Sequence, residues 1–281
     1  MEIAKKIKNI LDQADAILVG IGSGMTNADD ISYYGQRFDQ NFSDFKEKFK
    51  FIDMLQASVY HFNDWRTYWA FHSRFTKMNY YDQETGPSFL NLKTILKNKN
   101  FFIITTNSDS AIDKAHFDSN KYFHIQGKYN LMQCSQKCSN KTYENQELIN
   151  EMIAKQENCM IPHELLPRCE FCDAILEVNK RNCFYELAQN EVFKTEEKNY
   201  NLFLQKNKNR KIVYWEIGCG NITPQFIKWN FWKLTEENPK STYLVLNKKQ
   251  YRMNKNIINQ TKYFQIDIAT ILKKIADLYK E

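Results

Sequence analysis

AILVGIGSG, residues 16–24, is a short apolar run that ends in three alternating glycines. An apolar run of this length bounded by turn residues reads as a buried strand. Glycines between a strand and a helix let the backbone approach a phosphate group, whose charge the amides of the helix start can meet. The same pattern also suits a plain strand-to-helix turn. Two further apolar runs stop as abruptly. FFII (101–104) breaks into the polar TTNSD (105–109), and KIVYWEI (211–217) breaks into GCG (218–220). Strands alternating with helices imply a mainly parallel sheet with right-handed crossovers. Ligands of such sheets bind at the carboxyl ends of the strands. The turns after Val19, Ile104 and Ile217 are therefore expected to line one crevice.

The remaining chain supports this pattern. Residues 3–14 read as an amphipathic helix with Ile3, Ile7, Ile10 and Leu11 on one face. Residues 42–56, 63–78, 86–98, 223–238 and 267–279 also read as helices, and KYFHIQG (121–127) and STYLVLN (241–247) as strands. The aromatics of residues 42–78 recur at helical spacing, which points to core. Residues 131–185 read as irregular and carry cysteines. The chain has eight glycines, so their grouping is informative. Gly20, Gly22, Gly24 and Gly35 share one segment, Gly127 follows Gln126, and Gly218 and Gly220 flank Cys219.

CSQKC (134–138) and PRCEFC (167–172) supply two close cysteine pairs. Joined by a loop, Cys134, Cys138, Cys169 and Cys172 can place four thiolates tetrahedrally around zinc. No nucleophile partner accompanies them, so the metal is read as structural. Cys159, Cys183 and Cys219 fall outside the pattern.

Composition narrows the rest. Hydrophobic residues make up 43% of the chain, enough for a real core. No apolar run is long enough to span a bilayer. The first residues lack the apolar core and cleavage site of a secretory signal. The expectation is a cytoplasmic, reducing setting, where cysteines are thiols or metal ligands. The net charge of +6 comes without a dense basic cluster interleaved with aromatics, which argues against nucleic acid. A basic surface favours an acidic protein partner through steering.

The order of glycine turn, TTNSD, Gln-Gly, two cysteine pairs, GCGNITP and LVLN resembles the sirtuins, a family of NAD-consuming enzymes. YYGQRFDQNFSDFKEKF, FIDMLQ, QGKYNLMQCS, LPRCEFC, EIGCGNITPQFIKWNFWKLT and NPKSTYLVLN carry a closer resemblance to the macrodomain-linked, or class M, sirtuins of microbes. In that branch Gln replaces the His of the usual His-Gly pair, and here Gln126 stands at that place. The resemblance implies a protein ADP-ribosyltransferase acting on a lipoyl carrier protein of the glycine-cleavage H type, functionally linked to a separate macrodomain protein. It implies NAD as substrate and structural zinc. Asn107, Asp109 and Gln126 would be catalytic. Gly20, Gly22, Ser23 and Gly24 would flank the phosphates, with Arg37 closing over the dinucleotide. Thr106 would contact its nicotinamide end. Gly218, Asn221 and Thr223 would border the adenosine half, with Asn247 near its ribose. Asp29 and Asp30 depart from the family's small residues beside the phosphate turn, and are expected to point outward.

The chemistry of this substitution is consistent. A deacylase needs a base for the ribose 2′-hydroxyl, which histidine supplies near neutral pH. A glutamine amide can hydrogen-bond a ribose hydroxyl but cannot usefully take a proton. ADP-ribosyl transfer asks more for positioning and charge stabilisation. The expected architecture is α/β: a Rossmann-like parallel-sheet domain from residues 1–127 and 201–281, with a zinc-binding module inserted at 128–200. The alternatives are a sirtuin-like NAD hydrolase, a weak lysine deacylase using His124 as a displaced base, and a non-catalytic NAD-sensing module, against which Asn107 and Asp109 argue.

Overall fold

The computed structural model describes residues 1–181 and 186–280. Cys183 lies outside them. In chain order the helices and strands are α1 (Glu2–Asp12), β1 (Ala16–Ile21), α2 (Ser23–Asn27), α3 (Gln36–Asn41), α4 (Ser43–Phe49), α5 (Met54–Ser58), α6 (Trp65–Thr76) and α7 (Pro87–Leu96). There follow β2 (Phe101–Thr105), α8 (Ala111–Lys114), β3 (Tyr122–His124), β4 (Gly127–Cys134), β5 (Thr142–Glu144), α9 (Gln146–Lys155) and β6 (Leu176–Lys180). The last part holds α10 (Glu191–Asn207), β7 (Ile212–Ile217), α11 (Lys228–Glu237), β8 (Thr242–Asn247), β9 (Thr261–Gln265) and α12 (Ile268–Asp277).

Six strands form a parallel sheet in the order β3-β2-β1-β7-β8-β9. β1, β2 and β7 are buried along their whole length, as their unbroken apolar runs require. One face packs on α1, α7 and α12 through Ile7, Leu92 and Ile271. The other packs on α10 and α11 through Phe193, Tyr200 and Phe231. Strand order reverses between β1 and β7, so their carboxyl ends diverge into the crevice expected of such a switch point.

A second, antiparallel sheet has the order β5-β4-β6. Its core joins Met132, Leu176 and Val178 to the aromatic faces of α3–α6, including Phe38, Phe45, Phe71 and Phe75. Trp69 Nε1 donates to Leu176 O at 2.9 Å and Val178 N donates to Tyr68 Oη at 3.0 Å, fastening α6 to β6. Residues 33–78 thus share the small sheet's core, while α10 packs against β3 and β2 of the large sheet.

Several local features differ from the sequence reading. Residues 42–56 form two helices because Lys50 takes a left-handed φ of 60° and Asp53 then caps α5 by accepting from Gln56 N. Residues 131–185, read as irregular, include strands and α9. Their alternation is short and masked by the cysteine turns. α10 is capped by Asn190, whose side chain accepts from Phe193 N.

Candidate active site

The floor of the crevice is built from two backbone turns in mutual contact. Gly22 N donates to Ile217 O at 3.0 Å, and Gly24 N donates to Gly218 O at 2.9 Å. A Cβ on Gly24 would lie 2.7 Å from Gly218 Cα, and Gly218 itself has a φ of +65°. No side chain fits there without moving backbone. Gly22, Ser23, Gly220 and Thr223 line the crevice. Gly20 does not. It lies inside β1 under Ile227 and Phe231, and a Cβ there would meet Ile227 Cγ2 at 2.4 Å. Its role is helix packing on the strand.

The β2 turn brings Thr106, Asn107 and Ser108 to the crevice. Asn107 Nδ2 donates to Thr26 Oγ1 at 2.9 Å and to Gly22 O at 3.3 Å. Thr26 in turn donates to Asp109 Oδ2 at 3.1 Å, and Asp109 Oδ1 accepts from Ala111 N at 3.0 Å. Asp109 is 2% exposed and stands behind Asn107 rather than in the crevice wall. Burial raises its carboxyl above the usual range, and the hydrogen bonds from Ala111 and Thr26 oppose that shift. Its geometry makes it a support that orients Thr26 and, through it, Asn107.

Gln126 joins β3 to β4 and lines the crevice. Its Nε2 donates to Thr223 Oγ1 at 2.8 Å, and its backbone O accepts from Arg181 N at 2.9 Å. Gly127 pairs with Lys180 across the small sheet. It has a φ of +89°, and a Cβ on it would lie 2.3 Å from Asn179 O. His124, the displaced-base candidate, is 2% exposed and outside the crevice lining. Its backbone N donates to Glu196 Oε2 at 2.8 Å, and its Nδ1 stands 3.8 Å from the same oxygen. The buried ring is occupied by α10, not by the crevice. No histidine among the described residues lines the crevice.

Asn247 is buried and donates from Nδ2 to Cys219 O at 2.9 Å, holding the turn that carries Gly218 and Gly220. Asn221 is exposed and outside the lining. Arg37 is also outside it. Its guanidinium donates to Ser32 O, Met78 O and Asn79 Oδ1. Asp29 turns away from the crevice floor and accepts from Ser88 N and Ser88 Oγ, which caps α7. Cys219 is buried, and burial pushes its thiol well above the ordinary range, so its thiol is no nucleophile there.

Lys180, Arg181, Tyr33, Tyr129 and Lys228 also line the crevice, and no carboxylate does among the described residues. These residues escaped the sequence reading because they lie outside the glycine turns and TTNSD. Lys228 is paired: its Nζ donates to the buried Glu216 Oε1 at 2.6 Å. The resulting cationic cleft, of about 480 Å³, suits a phosphorylated ligand.

The four cysteines meet at one end of the small sheet. Sγ of Cys134 lies 3.5 Å from those of Cys138 and Cys172, and Cys138 Sγ lies 3.4 Å from Cys169 Sγ. All four sulfurs fall within 4.8 Å of one another. Tetrahedral thiolates at zinc sit roughly 3.8 Å apart, so the donor set and spacing fit that ion. Burial would raise the Cys134 thiol, but the backbone amides of Cys138 and Gln136 bring it down to about 7.

No family model matches the chain. It is 45% identical over 269 residues to the protein ADP-ribosyltransferase of Staphylococcus aureus, covering 96% of this chain and 85% of that one. A probable bifunctional ADP-ribose hydrolase/ADP-ribosyltransferase of Fusarium oxysporum f. sp. cubense is 25% identical over 231 residues, which are 78% of this chain and 38% of that protein. Among solved structures, a Sir2 homolog–NAD complex superposes with a TM-score of 0.63 at 11% identity, covering 98% of this chain and 93% of the other. Sir2 bound to an acetylated peptide gives 0.61 at 12% identity, covering 98% and 97%. At such identities these structures establish the fold, and the staphylococcal relative establishes the family. The chain has the Sir2 fold and belongs to the family of the staphylococcal protein ADP-ribosyltransferase.

Proposed function

We propose that this chain cleaves the nicotinamide–ribose bond of NAD and passes ADP-ribose to a lipoyl carrier protein of the glycine-cleavage H type. A separate macrodomain protein would be its functional partner. The observation that carries the reading is Gln126, which stands on the crevice wall bonded to Thr223 while the neighbouring histidine is buried behind it. With Nε2 donating to Thr223, Oε1 of Gln126 is free to accept from a ribose hydroxyl and to face the positive charge that grows at C1′. Asn107, oriented by Thr26 and Asp109, holds the nicotinamide end. Ser23, at the glycine turn, and the Arg181 guanidinium meet the pyrophosphate. Nicotinamide leaves neutral with the electron pair of the broken bond. The carrier side chain then captures C1′.

Cys134, Cys138, Cys169 and Cys172 would hold one zinc ion, which supplies cross-linking to the small sheet and no chemistry at the crevice. The test is incubation of the purified chain with labelled NAD and the lipoylated carrier. Label on the carrier and released nicotinamide are expected. Free ADP-ribose alone, with the carrier unlabelled, would instead establish an NAD hydrolase.

A further inference from the structure

A hydroxyl, thiol or water that captures C1′ must shed its proton, and neither Gln126 nor any histidine of the crevice wall can receive it. Lys180 occupies a suitable position. It ends β6 and is the cross-strand partner of Gly127, one residue from Gln126. Its Nζ donates to Ser58 O, at the carbonyl end of α5, and lies 6.0 Å from the Phe75 ring centroid. No carboxylate among the described residues forms an ion pair with it.

The surrounding charges leave this amine poised. Glu177, on the same strand, acts on it from a distance while bonded to Lys137 and Gln133. His72, from α6, is kept neutral by burial and by Lys180 itself. Tyr33 and Tyr129 stay protonated because burial raises both phenols. Arg181 follows Lys180 in the chain and adds a guanidinium to the same wall. Burial brings Lys180 down to about 7, with Glu177 opposing only part of the shift. A neutral amine can donate one N–H to Ser58 and still offer its lone pair.

We propose that Lys180 is the proton acceptor of the transfer step, for acceptor groups that carry a proton at neutral pH. The proposal rests on the ADP-ribosyl transfer reading above. The C1′–N bond breaks and its electron pair leaves with neutral nicotinamide. An oxygen or sulfur of the acceptor bonds to C1′, and its proton passes to Lys180 Nζ and from there to water.

The test compares two reactions of the full chain across neutral pH. One is exchange of labelled nicotinamide into NAD, which needs the C1′–N bond broken and re-formed but no proton transfer. The other is transfer, read as label on the carrier protein or as free ADP-ribose. Wild-type transfer should rise about tenfold per pH unit below about 7 and then level off, while exchange stays flat. Lys180→Met should lower the ratio of transfer to exchange by about 10²-fold. Lys180→Arg keeps the charge and a donor for Ser58, and should not restore the ratio. Wild-type transfer that falls as pH rises through 7, together with rescue by Arg, would overturn the proposal in favour of a cation that holds a carboxylate acceptor. Equal loss of transfer and exchange in both variants would also overturn it, leaving Lys180 as a tether for α5. Absence of both labelled carrier and free ADP-ribose in the wild type would overturn the transfer reading itself, and the Lys180 step with it.

Discussion

Gln126 and Thr223 are tied across the crevice by a 2.8 Å hydrogen bond, linking the β3–β4 junction to the loop after β7. The bond fixes which end of the amide remains for substrate.

Gln126→Ala should therefore reduce ADP-ribosyl transfer by roughly ten- to a thousand-fold, the range for loss of one oriented polar contact at a reacting centre. Thermal stability should barely change, since the side chain is only partly buried. Thr223→Val leaves Gln126 in place but frees its Nε2, and should cost less than Gln126→Ala. Kinetics of both variants against the carrier protein check this order. Transfer unchanged in Gln126→Ala would reduce the Gln-Gly pair to a turn.

Asn107→Ala should abolish nicotinamide release by about 10²-fold or more. The buried chain Asn107–Thr26–Asp109 predicts a graded series. Thr26→Val should weaken release less than Asn107→Ala, because it removes only the orienting contact. Single-turnover release of nicotinamide measures both. Wild-type rates in Asn107→Ala would place the reactive centre elsewhere.

Purified protein should carry about one equivalent of zinc, and Cys169→Ser should lose it together with solubility. Elemental analysis beside a thermal melt with and without chelator reads the effect. A metal-free wild type with an unchanged melt contradicts the assignment.

Asp12 gives a pH signature far from the crevice. Burial would raise it, but hydrogen bonds from Lys8, Lys99 and Tyr279 outweigh that and draw its carboxyl down to about 2. A depressed acid stabilises the fold above its unfolded value of 3.8, and this contribution is lost as pH falls from there toward 2. The site is partly exposed, so the contribution at neutral pH is at most about 1 kcal/mol. Asp12→Asn should flatten the loss of stability in that acid window, measured by denaturant melts. An unchanged slope would show that the α1–α12 contact is held by packing alone.

Much of this was legible from residues 16–24, 101–109 and 211–220, because a strand buried on both faces must be apolar throughout and must stop where polar backbone takes over. The four cysteines were legible for the same reason of local spacing. Three things were not. Asp29 and Ser88 meet across 59 positions, and only the fold shows that the acid caps a helix. His124 and Gln126 are two residues apart, yet one is sealed by Glu196 while the other faces the crevice, because the chain leaves β3 between them. Lys180 is opposite Gly127 only through antiparallel pairing, which no local pattern encodes.

The mutual grip of the glycine turns has a consequence for how the two sides of the crevice breathe. Gly22 N is held by Ile217 O, Gly24 N by Gly218 O, and Gly218 N by Leu246 O at 3.0 Å. None of these amides can be freed without parting β1 from β7 or β7 from β8. They should exchange with deuterium as one slow cooperative unit. The facing wall is α5, five residues long and running into the exposed Val59. So short a helix should exchange sooner than the glycine turns, which sets a fixed anvil against a more yielding jaw.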